Sequence, residues 1–153
     1  MPSVGQDNDQ AASPWLLPGF EYRRIDVEGV AIRCAVKGSG PPLLLLHGYP
    51  ENHLTWRHVA PALAEDHTVV LADLRGYGDS GKPSPDTAGV VYSKRSMADD
   101  QMGLMRQLGF GQFQLASHDR GAASHTGWSS TTPAPSPGSP SWTSCRPGTS
   151  LST

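Results

Sequence analysis

Three short apolar runs constrain the fold of this chain more than any other feature of its sequence. Leu43–Leu46 is wholly aliphatic, and Thr68–Ala72 and Phe113–Ala116 are nearly as apolar. Runs of this length and composition are typical of strands that are covered on both faces of a parallel sheet. They predict that the centre of the fold is a buried sheet.

The segments around these runs predict an α/β fold. Two β-rich runs, Phe20–Val27 and Val30–Val36, flank the pair Glu28-Gly29 and indicate a hairpin. Thr55–Glu65 and Ser96–Leu108 carry apolar residues at helical spacing, and Pro61 places the start of the first helix or a kink at its position. A hairpin followed by strand, helix, strand, helix and strand favours a mostly parallel sheet with helices. Functional loops of such a sheet open at the carboxyl ends of its strands.

Composition divides the chain into three parts. We expect a flexible N-terminus over residues 1–19, a partial α/β domain over residues 20–121 and a disordered tail over residues 122–153. The tail contains nine Ser, six Thr and five Pro, and Leu151 is its only large aliphatic residue. Such a segment cannot bury enough apolar surface to offset the entropy lost on ordering.

Charge and composition exclude several classes of function. Twelve Lys and Arg against 14 Asp and Glu give a net charge of -2, which argues against nucleic acid or a membrane surface as partner. No apolar run approaches the ~20 residues of a membrane span. Met1–Ser13 has no charged-then-apolar signal pattern, and only two cysteines, Cys34 and Cys145, are present. These observations favour a cytoplasmic protein.

Neither a metal nor an organic cofactor is expected. The histidines show no ligand spacing with cysteines or carboxylates. Gly76–Gly81 matches the dinucleotide pattern G-x-G-x-x-G, but Lys82–Pro85 follows where a helix should begin. Cys34 lies in a β-rich run and is interpreted as a small buried apolar residue rather than a nucleophile.

Three motifs follow the three apolar runs: His47–Pro50, Asp73–Ser80 and Ser117–Gly121. In the last, Asp119 stands where the strand-to-helix elbow G-x-S-x-G has its serine. A carboxylate needs no base before it attacks carbon, so Asp119 is a candidate nucleophile. Backbone N–H groups of the first motif, with that of Arg120, could form an oxyanion hole. The alternative for Asp119 is a helix N-cap.

In this order and spacing, the motifs resemble those of the α/β-hydrolase family, in the branch with an aspartate nucleophile. That branch includes epoxide hydrolases and haloacetate dehalogenases. The segment of residues 92–110, followed by His118–Ala122, looks most like the haloacetate (fluoroacetate) type. The resemblance implies that Asp119 is the nucleophile and that Arg120 helps to bind a substrate carboxylate. It implies an oxyanion hole and substrate-binding site formed by His47, Gly48, Tyr49 and Arg120. It also implies a haloacid or epoxide as small-molecule substrate, and a homodimer for full-length members.

The resemblance stops near Ala122. The family has a second arginine where this sequence has Ala123, and its lid, supporting acid and water-activating histidine come later. When the codons of the tail are read in a frame shifted by one base, they permit an arginine at position 123. The permitted residues that follow have the pattern of an amphipathic helix and then an apolar strand. We therefore expect an out-of-frame tail and an inactive fragment of a haloacetate dehalogenase-like hydrolase. The alternatives are a genuine Ser/Pro-rich tail, an epoxide hydrolase, and a non-catalytic module or pseudogene product.

The same reasoning predicts an exposed sheet edge. The resemblance implies that the chain holds the first five strands of an eight-stranded sheet, so Phe113–Ala116 would be left without a neighbour on one side. An unprotected apolar edge strand promotes aggregation.

Restoring one base near codon 122 is expected to open a frame that continues for on the order of 100 residues or more, as usual domain sizes require. Resequencing the DNA across codons 121 to 124 tests this expectation. An early stop in the restored frame would contradict it.

Overall fold

A computed structural model describes residues 16–119 and the backbone of residues 142–145. The strands are β1 (Glu21–Val27), β2 (Val30–Lys37), β3 (Pro42–Leu46), β4 (Thr68–Ala72), β5 (Phe113–Ser117) and β6 (Trp142–Cys145). The helices are a 3₁₀ turn (His53–Trp56), α1 (Ala60–Leu63) and α2 (Lys94–Gln107). Every strand predicted between residues 20 and 116 is present.

The strands form one mixed sheet in the order β1-β2-β4-β3-β5-β6. β3 pairs in parallel with both β4 and β5, whereas β1–β2, β2–β4 and β5–β6 are antiparallel. Leu44 of β3 lies between Val70 of β4 and Leu115 of β5. The predicted α/β fold with a parallel centre is confirmed, and the carboxyl ends of its three central strands lie at one edge.

The hairpin between β1 and β2 turns at the pair that the sequence indicates. Glu28 and Gly29 have φ values of 50° and 86°, as a two-residue turn of the mirror-image type requires. The Gly29 N–H donates to Asp26 Oδ1 at 3.0 Å. This local geometry fixes the register, so that Val27 faces Val30.

Apolar layers cover both faces of the sheet. Residues 43–46 of β3 are fully buried, with Leu44 and Leu46 in one layer and Leu43 and Leu45 in the other. The first layer includes Leu104 and Met105 of α2, and the second includes residues of α1 and of the segment before β1. Two-sided burial explains why β3 is continuously aliphatic. Among the described helices, none has the length and apolar character needed to cross a membrane.

Two helix boundaries differ from the predicted ones. The helix expected over Thr55–Glu65 is a 3₁₀ turn followed by the four residues of α1. Pro61 is the reason, because proline lacks an N–H and fits the first turn of a helix rather than its interior. α2 begins at Lys94, two residues early, because Ser93 caps it by accepting the Ser96 N–H.

The predicted open edge of β5 is wrong. β6 pairs with β5 in antiparallel fashion, with Phe113 opposite Cys145, so four residues of the expected disordered tail form a strand. Unpaired N–H and C=O groups of an edge strand form a template on which a further strand can pair. Within the expected flexible N-terminus, Leu17 is buried against the sheet. The predictions for residues 1–15, 120–141 and 146–153 lie outside the described residues.

Gly103 provides a test of the packing between α2 and β1. A Cβ at this position would overlap Val27 Cγ1. Gly103→Ala is expected to lower the free energy of unfolding by about 1 kcal/mol or more, because overpacking outweighs the gain in helix propensity. Urea unfolding measures the change.

Gly111→Ala is the matched control, since a Cβ there meets nothing within 4 Å. Its effect should stay within about 0.5 kcal/mol. Equal stability of the Gly103 and Gly111 variants would contradict the packing of α2 on β1.

Candidate active site

Asp119 occupies a turn that begins directly after β5. Its φ is 49°, in the left-handed region that non-glycine residues seldom adopt. Ser117, two residues earlier, still pairs with Leu46 at the end of β3. The sharp turn therefore places the Asp119 carboxylate beside the loop that leaves β3. Backbone conformations of this kind cluster at functional sites.

The loop after β3 contacts this carboxylate through its backbone. The Tyr49 N–H donates to Asp119 Oδ2 at 2.8 Å. A Cβ at Gly48 would lie 2.7 Å from Asp119 Cβ and 2.9 Å from Oδ2, so any side chain at position 48 would displace the carboxylate. The structure thus brings together three of the predicted site residues. Of the other two, Arg120 lies outside the described residues, and His47 is described next.

His47 is placed differently from the other motif residues. Its side chain is fully buried, and Nδ1 donates to the Gly48 carbonyl at 2.8 Å. Nε2 accepts the Leu74 N–H at 3.1 Å, which assigns the neutral tautomer with its proton on Nδ1. Burial lowers the pKa of His47, although the hydrogen bond to Gly48 opposes the change. The ring therefore joins two loops through backbone groups.

A buried carboxylate at the end of β4 was not singled out by the sequence. Asp73 is fully buried, and its Oδ1 accepts the backbone N–H of His53 at 2.7 Å and His53 Nδ1–H at 2.9 Å. Its Oδ2 accepts the Asp79 N–H at 3.0 Å. Burial alone would raise the pKa of Asp73, but the hydrogen bonds from His53 and Asp79 lower it below the ordinary value of 3.8. An acidic residue directly after a buried strand is the signal that could have revealed it.

A second unpredicted contact lies beside the nucleophile candidate. His118 Nε2 is 3.3 Å from Glu51 Oε2, and the His118 ring is 5.4 Å from the ring of Trp56. Both members of the ion pair are about 40% exposed, with side-chain values of 43% and 39%. Exposure of this degree limits the stabilising effect of the pair. The contact adds a second link between the Asp119 turn and the loop after β3.

A groove of about 420 Å³ adjoins the loop that carries the Tyr49 amide. Its lining residues are Tyr49, Gly76, Tyr77, Lys82, Tyr92 and Met97. The Tyr49 and Tyr77 rings meet edge to face at 6.4 Å, and the Tyr92 hydroxyl donates to the Pro83 carbonyl at 2.6 Å. The groove is thus an aromatic surface beside the loop after β3.

The remaining sequence interpretations concern Cys34 and the glycine pattern. Cys34 is buried, and burial raises the pKa of its thiol to about 12, which confirms its interpretation as an inert core residue. Gly76–Gly81 forms a closed turn in which the Gly76 N–H donates to the Gly81 carbonyl, and the next helix begins only at Lys94. The dinucleotide motif therefore lacks its helix. Within the described residues, no three His, Cys, Asp or Glu side chains are grouped to hold a metal ion.

Comparisons with known proteins agree with this geometry. A family model for the alpha/beta hydrolase fold matches residues 41–133. A fluoroacetate dehalogenase from Burkholderia sp is 58% identical over 108 residues, which are 69% of this chain and 35% of the relative. A soluble epoxide hydrolase from Corynebacterium sp. (strain C12) is 42% identical over 97 residues, 63% of this chain and 32% of the relative. The crystal structure of an epoxide hydrolase from Vigna radiata superimposes with a TM-score of 0.64 at 38% identity, covering 74% of this chain and 35% of that one. The chain thus spans about a third of the length of these relatives.

The lowered pKa of Asp73 predicts how the stability of the fold depends on this carboxylate and on pH. Asp73→Asn is expected to lower the free energy of unfolding by about 2–3 kcal/mol at neutral pH, because hydrogen bonds to a charged acceptor are weakened. A carboxyl whose folded pKa is depressed stabilises above its unfolded pKa, and the effect is lost as pH falls through the folded pKa. The difference between wild type and variant should therefore stay constant down to about pH 4 and shrink below it.

Urea unfolding of both proteins across this range is the measurement. Asp66→Asn, at an exposed position, is the control and should change stability by no more than about 0.5 kcal/mol. A difference that widens as the pH falls would contradict the assignment.

Proposed function

Because the chain belongs to the α/β-hydrolase family, we propose that its site is that of a haloacetate dehalogenase-like hydrolase, with Asp119 as the nucleophile. The proposed reaction replaces the halogen of a short 2-haloacid by hydroxyl through an aspartyl ester. The similarity to a protein named as a fluoroacetate dehalogenase supports this substrate class.

One observation carries the proposal: the Tyr49 N–H donates to Asp119 Oδ2 at 2.8 Å, at a strained turn beyond β5. In this proposal Oδ1 attacks the substrate while Oδ2 stays at the Tyr49 amide. An N-cap role alone, in which the carboxylate accepts N–H groups of the following helix, does not explain this contact. Here the donor belongs to a loop 70 residues earlier in the chain.

The proposed chemistry has two steps. In the first, the bond from Asp119 Oδ1 to the substrate carbon forms while the carbon–halogen bond breaks, and halide leaves with the electron pair. In the second, water adds to Cγ of the ester and gives one proton to a general base. The negative charge then develops on Oδ2, where the Tyr49 N–H already lies and stabilises it. On collapse the Cγ–Oδ1 bond breaks, and the proton left on the added water oxygen passes to Oδ1, which leaves as the hydroxyl of the 2-hydroxy acid. The carboxylate is regenerated with one oxygen from water.

Arg120 completes the proposed site. Its backbone N–H would be the second donor to Oδ2, and its guanidinium would bind the substrate carboxylate through two parallel hydrogen bonds. The resemblance assigns the water-activating histidine to a part of the family beyond this chain's matching segment. We therefore propose that turnover needs the restored-frame protein and that the chain as given is inactive. A cytoplasmic location and a homodimer of the full-length form belong to the same proposal.

The groove favours a second candidate, an epoxide hydrolase. Cavities of about 300–1,000 Å³ hold drug-sized ligands, and a two-carbon acid is far smaller than that. The groove of about 420 Å³ has three tyrosine rings, which suit a substrate with an aromatic or apolar substituent. An epoxide can carry such a substituent, and the same carboxylate would open its ring.

Mass spectrometry of the covalent intermediate tests the nucleophile. The restored-frame protein, with its water-activating histidine replaced, is expected to accumulate a carboxymethyl ester on the peptide containing Asp119 after incubation with chloroacetate. The ester persists because its hydrolysis needs the missing base. Asp119→Ala should abolish it, whereas Asp86→Ala, at an exposed loop position, should leave it unchanged.

Incubation with an aryl-substituted epoxide separates the two candidates. A hydroxyalkyl ester on Asp119, with no ester from chloroacetate, would favour the epoxide hydrolase. Halide release by Asp119→Ala at the unmodified rate would contradict both, because another residue would then be the nucleophile.

A further inference from the structure

The loop that carries the Tyr49 amide is anchored at both ends to consecutive residues after β4. At its start, His47 Nε2 accepts the Leu74 N–H at 3.1 Å. At its end, His53 donates two hydrogen bonds to Asp73 Oδ1. The seven residues from 47 to 53 therefore span a fixed distance, and Tyr49 lies between the two anchors.

The anchor at His53 is buried, and both ring nitrogens have a polar neighbour. His53 is 6% exposed and Asp73 is fully buried. Because a carboxylate only accepts, Nδ1 of His53 carries the proton that points to Asp73. On the other side of the ring, Nε2 lies 3.3 Å from the Tyr22 hydroxyl, whose oxygen accepts the Leu17 N–H at 2.9 Å. Hydrogen bonds to an ionised acceptor in such surroundings are among the stronger ones in proteins.

Close packing of Gly48 on Asp119 prevents the loop from moving towards the nucleophile candidate. The position of a Cβ on Gly48 is only 2.7 Å from Asp119 Cβ, so the backbone is already in close contact with the Asp119 turn. The loop cannot move closer to the carboxylate. Whether it moves away depends on its anchors, and the side-chain anchor at the far end is His53.

We propose that His53, held by Asp73, is a positioning residue that fixes the Tyr49 amide against the carboxylate of Asp119. It does not touch the reacting atoms. It acts through the backbone of residues 49–53, and keeps the oxyanion-hole donor at 2.8 Å before charge develops on Oδ2. The catalytic meaning of this inference rests on the proposed role of Asp119.

Two isosteric substitutions separate the two sides of the His53 ring. In His53→Asn the side-chain amide nitrogen takes the place of Nδ1 and keeps the bond to Asp73. In His53→Gln the amide nitrogen takes the place of Nε2, so the contact with Tyr22 is kept and the bond to Asp73 is lost. Both variants retain the backbone N–H that also donates to Asp73. Tyr22→Phe removes the hydroxyl alone and serves as the matched control.

Hydrogen–deuterium exchange of the 153-residue chain, resolved to single amides by mass spectrometry, is the first readout. His53→Gln is expected to speed exchange at Tyr49 by roughly 10-fold, because the variant loses one hydrogen bond to a charged acceptor. His53→Asn and Tyr22→Phe should change it by less than about threefold. The amide of Leu45, in the fully buried strand β3, reports global unfolding, so its rate should rise only by the factor that each variant's loss of unfolding free energy gives, and by less than the rate at Tyr49.

If His53 only stabilised the fold as a whole, the exchange rates at Tyr49 and Leu45 would change together. Equal acceleration at Tyr49 and Leu45 in His53→Gln would show general destabilisation and overturn the proposal, as would an unchanged rate at Tyr49. In the restored-frame enzyme, His53→Gln should lower kcat by about 10-fold or more with KM nearly unchanged, and His53→Asn should restore it.

Failure of the proposed function is recognised separately. If chloroacetate and the epoxide leave no ester on Asp119 while Tyr49 exchange responds only to His53→Gln, the nucleophile assignment fails. The exchange pattern would then still support His53 as the anchor of the Tyr49 amide.

Discussion

Parallel pairing of β3 with β4 on one side and β5 on the other is the constraint on which the site depends. It brings the carboxyl ends of three strands to one edge, and burial on both faces keeps them there. The loops that leave these ends then meet through short contacts, of which the Tyr49–Asp119 and His53–Asp73 hydrogen bonds are the clearest. The connectivity of the sheet thus determines which loops meet at the candidate site, and the side-chain contacts depend on that placement.

The sequence predicts the strands well because their signals are local. Leu43–Leu46 must be apolar on both faces, and Glu28-Gly29 must adopt positive φ, so each carries its own pattern. The split of the first helix at Pro61 is also local, although periodicity alone hides it. β6 has no such signal, because its partner's open edge rather than its own composition determines the pairing.

For the site, the motifs predict what the backbone brings together but not what each side chain does. Gly48, Tyr49 and Asp119 meet because two motifs follow neighbouring strands. The sequence predicts His47 only as part of the oxyanion-hole motif, and the structure shows that its ring joins the loop to Leu74. The bond from His53 to Asp73 connects residues 20 positions apart that share no local pattern, so only the folded structure reveals it.

The burial of Cys34 has a consequence for the handling of alkylating substrates. Bromo- and iodo-acids alkylate thiolates readily, so an enzyme with the proposed activity risks modifying its own cysteines. With its pKa raised to about 12 and its side chain 1% exposed, Cys34 stays protonated and out of reach at neutral pH. Under the proposed function, Asp119 offers a carboxylate oxygen at a turn that faces the loop after β3. The fold would then direct an alkylating substrate to an oxygen whose ester water can cleave, while the sulfur of Cys34, whose thioether water cannot cleave, stays buried.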